Sequence, residues 1–190
     1  MTLQTPVQIF QHEEEFEELL CLYREKRPPR VLEIGTYHGG TLYHWLRCAA
    51  PGATVVSVDS YAVGVDNSAL YDDWCDGDVR LVVVRGDSAD PDTVAKVASY
   101  GPYEWVFIDA GHLEDEVRAD WENYRPLATG VVAFHDILPP TREHPEIQVA
   151  PLWQEIRETH DTVEIIADPN APWGGIGVCY TRARNGVVPL

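Results

Sequence analysis

Val31-Leu32-Glu33-Ile34-Gly35-Thr36-Tyr37-His38-Gly39-Gly40-Thr41 decides how the chain is read. Apolar Val31, Leu32 and Ile34 surround Glu33, a bend bounded by Gly35 and Gly39-Gly40 follows, and Leu42 to Leu46 continues as an amphipathic run. That order spells strand, tight loop, helix. Val55-Val56-Ser57-Val58-Asp59 then adds a second β-branched run closing in an acid. It stands about 20 residues beyond the glycines, where a nucleotide-binding βαβ unit places the carboxylate that holds ribose hydroxyls. The loop is therefore expected to bind a nucleoside-containing cofactor; the competing reading is a tight turn that only packs helix on strand.

Charge and bulk narrow the cofactor. A dinucleotide site wants glycine at the third position of the loop so that backbone amides reach a pyrophosphate, but Tyr37 stands there and Glu33 brings a negative charge. S-adenosylmethionine carries no phosphate and has a sulfonium and an ammonium, which an acid attracts while glycines keep the backbone close. The E-x-G-x-x-x-G-G-T run resembles motif I of the class I S-adenosylmethionine-dependent methyltransferases. Glu33, Gly35, Thr36, Tyr37, Gly39, Thr41 and Asp59 are accordingly expected to form the cofactor site.

The 190 residues fit one domain able to bury a sizeable core, and 45% apolar with 24% charged residues is ordinary for a globular protein. A net charge of −17 is not ordinary. It repels phosphate backbones and anionic lipid, which argues against nucleic acid and membranes as partners and suits a neutral or cationic small molecule. Cys21, Cys48, Cys75 and Cys179 lack a C-x-x-C spacing and read as free thiols. No leader-like segment or membrane-length apolar run is seen, so a cytoplasmic protein is expected.

Phe16, Leu19, Leu20 and Tyr23 recur at helical steps within residues 7 to 27, with Glu13, Glu14, Glu15, Glu17 and Glu18 read as the solvated face of an N-terminal helix ending at Pro28-Pro29. Between Tyr61 and Asp78 periodicity fails and five aspartates gather around Tyr71 and Trp74; this segment is read either as a substrate-side loop or as a merely acidic one. Leu81 to Val84 is a third strand, followed by Gly86-Asp87-Ser88 and a helix opening near Asp90-Pro91. Asp87 and Ser88 are read as capping that helix and, as the methyltransferase resemblance implies, as meeting the adenine ring, two roles that can hold together.

The chemistry is expected where a fourth strand, Trp105 to Ile108, runs into Asp109-Ala110-Gly111-His112, and a fifth, Val131 to Phe134, into His135-Asp136. Strand carboxyl ends are where open α/β sheets bind ligands, and neighbouring strands would bring Asp109, His112, His135 and Asp136 to one edge. Two carboxylates with flanking imidazoles suit a divalent metal: magnesium if acids and water dominate, manganese, iron or zinc if a histidine engages. Hydrogen bonding among strand-end polar groups is the alternative.

D-A-G-H at 109 to 112 and F-H-D at 134 to 136 resemble the small methyltransferase family of cephalosporin-hydroxylase-like proteins and macrolide-sugar O-methyltransferases, over roughly residues 30 to 140. The resemblance implies magnesium on Asp109 and Asp136 and His112 as the base, while His135 stands where those sugar enzymes have an acid. The metal set expected here is Asp109, His135 and Asp136, with His112 and Asp109 catalytic.

Pro139-Pro140 opens an aperiodic segment, 137 to 151, read as a second substrate-side loop; a last helix, a sixth strand and an antiparallel closing strand from Ile176 complete the chain. The expected architecture is one α/β domain over residues 1 to 190, a doubly wound Rossmann-like seven-stranded sheet, mostly parallel with an antiparallel last strand. The expected activity is O-methylation of a small-molecule hydroxyl, on a natural product or sugar, from S-adenosylmethionine with divalent-metal assistance; homo-oligomerisation stays open. Two rivals use the same residues differently: a nicotinamide-dependent dehydrogenase, and a metal-dependent hydrolase built on the Asp109, His112, His135 and Asp136 cluster alone.

Overall fold

The computed structural model describes residues 4–64 and 66–183, so the outermost ends of the expected 1–190 domain lie outside the described residues. Seven strands form one sheet in the order β3-β2-β1-β4-β5-β7-β6. They are β1 Arg30–Ile34, β2 Thr54–Asp59, β3 Arg80–Arg85, β4 Tyr103–Ile108, β5 Ala128–His135, β6 His160–Ile165 and β7 Ile176–Ala183. β7 runs antiparallel to both its neighbours, and every other pairing is parallel. The doubly wound, mostly parallel sheet expected from the sequence is the one observed.

Alternation along the strands divides the core between the two faces of the sheet. Leu32, Ile34, Val56, Val58, Val106, Ile108, Val132 and Phe134 face α3 Pro91–Ala98, α4 Glu114–Tyr124 and α5 Ala150–Thr159, meeting Val97, Val117, Tyr124, Leu152, Trp153 and Ile156. Val31, Val55, Trp105, Phe107, Val131 and Ala133 face α1 Glu13–Lys26 and α2 Gly40–Cys48, meeting Phe16, Leu19, Leu20, Tyr23, Leu42 and Trp45. Both faces are covered, which is why the central strands are apolar on both sides.

Helix α1 departs from its expected solvated acidic face at one position. Glu15 is 1% exposed, and its carboxylate accepts from the backbone N–H of Ala167 at 3.0 Å and of Gly175 at 2.9 Å. It caps backbone donors of the β6–β7 connection, a long-range role that local periodicity does not reveal. The acidic 61–78 segment contains a 3-10 helix, Ser68–Trp74, whose Tyr71 and Trp74 are buried against α2. Asp66 pairs with Arg85 at 2.6 Å, Asp76 with Arg47 at 3.5 Å, and Asp78 accepts from Gly52 N–H.

Register places the chemistry. Ile34 lies opposite Val58 and Ile108, and Ile108 opposite Phe134, so the glycine loop, Asp59, Asp109 and His135 all emerge at the same carboxyl edge. Gly35 N–H donates to Val58 O at 2.9 Å and Asp109 N–H to Ile34 O at 2.8 Å, extending the ladder to the tip.

Candidate active site

A cavity of about 840 Å³ opens at this edge and runs from the glycine loop to the D-A-G-H and H-D motifs. Its size falls within the range of small-molecule sites. Gly35, at φ +89°, lies so close to β4 that a Cβ would stand 2.0 Å from the Asp109 carbonyl oxygen. Only glycine allows the two strand tips to meet there. Thr36 N–H and Tyr37 N–H both donate to Asp59 Oδ2, at 2.9 and 2.7 Å, and Tyr61 N–H donates to Oδ1 at 2.5 Å. Asp59 therefore shapes the loop while facing the cavity, and a carboxylate has lone pairs left for a ligand hydroxyl. Tyr37 stacks on His38 with centroids 4.0 Å apart, and Phe10 packs edge-on against both.

Gly35, Thr36, Tyr37, Thr41, Asp59, Asp87, Ser88 and Asp109 all lie on the cavity wall, whereas Glu33 and Gly39 do not. Both are expected from the sequence to contact the cofactor, and in the fold their places are set by packing. Glu33 is wholly buried under α2, where Oε1 accepts from the Thr41 hydroxyl at 2.6 Å and from Trp45 Nε1 at 2.8 Å. Burial, helped by the nearby charges of Asp109 and Asp59, outweighs those two bonds and pushes its carboxyl up to about 8. A largely neutral acid out of reach of the cavity is not a charge that draws in a cation. Gly39 is the N-cap of α2 at φ +89°, and a Cβ there would meet the Tyr71 ring at 2.9 Å, so its requirement is packing.

Asp87 and Ser88 do not cap α3. Asp90 does, accepting from Asp92 N–H at 2.8 Å and Thr93 N–H at 3.3 Å. Asp87 instead accepts from Ala89 N–H, and the Ser88 carbonyl accepts from the Tyr124 hydroxyl.

At the other end of the cavity the four expected residues come together. Asp109, His112, His135 and Asp136 each offer one ligand atom, and these atoms all lie within 4.8 Å of one another. His112 Nε2 stands 3.0 Å from Asp136 Oδ2 and 3.6 Å from Asp109 Oδ1; His135 Nδ1 stands 3.3 Å from Asp109 Oδ1 and 3.4 Å from Asp136 Oδ2. Burial alone would lower both imidazoles, but the two carboxylates outweigh it and raise each to about 10. The imidazoles in turn overcome the upward push of burial on Asp109 and Asp136 and hold both below the usual carboxylate range. His135 is nearly enclosed, with Nε2 unpartnered, whereas His112 is a third exposed and faces the cavity.

Asp136 leaves β5 at φ +61°, an unfavourable region for a residue with a Cβ. The turn before β7 holds it: Gly174 N–H donates to Asp136 Oδ1 at 2.9 Å, and Ile137 and Leu138 N–H bond to Gly175 and Gly174 carbonyls. The same turn is the one Glu15 grips, and it sets Trp173 on the cavity wall, stacked on His12 with centroids 4.2 Å apart.

Four wall residues, Gln8 to Gln11, carry no residue-level signal in the sequence. Gln11, just before α1, donates its side-chain amide to Asp109 Oδ2, and Gln8 to Phe10 extend that strap across the mouth. Tyr37 and Trp173 lie on the cavity wall, whereas Trp74 and Trp153 are core residues. Ala62 and Val63 of the first expected loop and His144 and Ile147 of the second also reach the wall; none of the aspartates between 66 and 78 does.

The donor set fits a divalent cation. Two carboxylates and two imidazole nitrogens lie within ligand spacing of one another, and among the described residues no lysine or arginine lines the cavity. Among the described residues no helix is long and apolar enough to cross a membrane.

Residues 32–137 match a family described as a methyltransferase domain. No curated protein matches the chain. Among solved structures, an O-methyltransferase from Bacillus cereus in complex with S-adenosylhomocysteine superposes with a TM-score of 0.71 at 18% identity, over 93% of this chain and 84% of that one. Cofactor-bound Rv0187 from MTB gives 0.68 at 23% identity, covering 95% and 84%. The MycE methyltransferase of the mycinamycin biosynthetic pathway, in complex with Mg and S-adenosylhomocysteine, gives 0.63 at 20%, covering 97% of this chain but only 54% of its own.

Proposed function

Since the chain belongs to this methyltransferase-domain family, we propose that it transfers a methyl group from S-adenosylmethionine to a hydroxyl oxygen of a small-molecule acceptor. One observation carries the choice of cofactor. Asp59, Asp87, Asp109, Glu116, Asp120 and Asp136 line the cavity, and among the described residues no lysine or arginine joins them. Such a wall disfavours a pyrophosphate and suits a ligand with a sulfonium and an ammonium. This separates the reading from a nicotinamide-dependent dehydrogenase. A hydrolase confined to the four-residue cluster would leave the glycine-loop half of the same cavity without use.

In this reading Asp59 takes the ribose hydroxyls, Asp87 and Ser88 flank the adenine, and Gly35 to Tyr37 hold the backbone close to the donor. Asp109 and Asp136, with His135, would hold a divalent cation at the far end. S-adenosylmethionine, once bound, supplies the electrophilic methyl group, and a divalent cation supplies charge that stabilises the deprotonated acceptor oxygen. His112, open to the cavity, receives the acceptor's proton at Nε2. It can do so only when Asp109 and Asp136 are engaged elsewhere, because their pull otherwise keeps the imidazole protonated. Trp173 and Tyr37 offer flat apolar surfaces against which an acceptor is aligned with the methyl carbon, and alignment supplies much of the rate. The size and aromatic edging of the cavity favour a natural product or glycosylated acceptor.

Calorimetric titration tests the cofactor half. S-adenosylhomocysteine is expected to bind, and Asp59→Ala to weaken it by about tenfold or more, the loss of one or two charge-assisted hydrogen bonds. Tight binding of NAD with no response to S-adenosylhomocysteine would overturn the assignment.

A further inference from the structure

His135 is the feature of the cluster that hydrogen bonding explains least. Its Nδ1 sits almost equidistant from two carboxylate oxygens, 3.3 Å from Asp109 and 3.4 Å from Asp136. One N–H has one direction, and both separations are longer than a good charge-assisted bond of roughly 2.7–2.9 Å. An imidazole pointing between two acceptors is poorly placed as a donor to either. It is well placed if a lone pair points at something the three atoms share. Ligand atoms about 2.1 Å from a common ion stand roughly 3.0–3.4 Å apart for angles between right-angled and tetrahedral, which brackets or adjoins these spacings.

The ring cannot easily choose another role. Its side chain is 4% exposed at the end of β5, held in register against Ile176 of β7 and edge-on to Trp173 at 6.1 Å. A rigid, buried nitrogen donor between two carboxylates discriminates among cations. Magnesium is a hard ion that prefers oxygen and keeps its waters, whereas manganese, iron, cobalt and zinc accept imidazole and gain from it in the usual order of divalent affinities.

We propose that Asp109, Asp136 and Nδ1 of His135 form a site selective for a borderline transition-metal dication over magnesium, with His135 as the selecting ligand. The proposal rests on the reading of this cavity as the methyl-transfer site and names the class of ion that serves it. It leaves His112 free as the proton acceptor at the rim.

The test uses the full chain stripped with a chelator and then titrated calorimetrically with Mn²⁺, Co²⁺, Zn²⁺ and Mg²⁺. The transition metals are expected to bind tighter than Mg²⁺ by about 100-fold or more, and His135→Glu to narrow that gap to about tenfold or less. Pulsed EPR of the Mn²⁺-loaded wild type is expected to show nitrogen modulation from a bound imidazole, lost in His135→Ala. Wild-type affinity for Mg²⁺ equal to that for Mn²⁺, an absence of metal binding, or modulation that survives in His135→Ala would each overturn the proposal. Where a His135 variant fails to fold, the wild-type series still decides the ion preference, and nitrogen modulation kept in His112→Ala assigns the imidazole to His135, whereas its loss there would overturn that assignment. S-adenosylhomocysteine titrated in the presence of chelator separates the two readings: its binding with no metal selectivity removes only this proposal, and selectivity without its binding removes only the methyl-transfer reading.

Discussion

Replacing Glu33 by glutamine is expected to change how stability depends on pH. The side chain is wholly buried, with Thr41 and Trp45 donating to one oxygen and no partner on the other, and its carboxyl is raised from 4.5 to about 8. Between those two values the folded chain keeps a proton that the unfolded chain releases. Stability therefore falls as pH rises through this window, is least penalised below 4.5, and levels off above 8. At about 1.36 kcal/mol per unit, raising the pH from 5 to 8 costs the wild type about 3 kcal/mol through this group alone. Glutamine keeps an oxygen for Thr41 and Trp45 and cannot ionise. Urea unfolding followed by tryptophan fluorescence, run on both proteins at pH 5 and pH 8, cancels the other titrating groups. The stability difference between variant and wild type should shift by about 3 kcal/mol in favour of glutamine at the higher pH. A difference that stays constant across the range would show that Glu33 is ionised in the fold and refute the argument.

Glu15→Ala leaves the N–H groups of Ala167 and Gly175, the second of them buried, without their acceptor and should cost about 1–3 kcal/mol in urea unfolding, with Glu15→Gln recovering part because one acceptor oxygen survives. His112→Ala should lower turnover by about 100-fold or more while leaving S-adenosylhomocysteine affinity within about twofold, since a general base acts on the acceptor and not on the donor. Unchanged turnover, measured as S-adenosylhomocysteine release, would remove His112 from the reaction.

Much of the fold is legible in local pattern because its causes are local. Apolar runs buried on both faces, glycines where β1 turns into α2, and an acid closing each of β2, β4 and β5 are consequences of strand ends gathered at one edge. The meeting of Asp109, His112, His135 and Asp136 is legible for the same reason: neighbouring parallel strands carry their following residues to one place. Glu33 and Glu15 were not readable in this way. Both carboxyl groups are enclosed by partners remote in sequence or around the next turn, so one becomes neutral and the other a cap.

By itself, then, the chain's order of residues determined the doubly wound sheet, the edge at which it works and the acids and imidazoles that meet there, since periodicity and strand succession are properties of neighbouring residues. Tertiary structure alone decided which of those groups face the cavity, that Gln11 joins them, and that His135 Nδ1 points between two carboxylates. Burial and direction depend on what packs from the opposite side, and for this site that is the N-terminal segment through the first turn of α1 and the turn before β7, about 160 residues apart in the chain and joined at His12 to Trp173 and at Glu15 to Gly175.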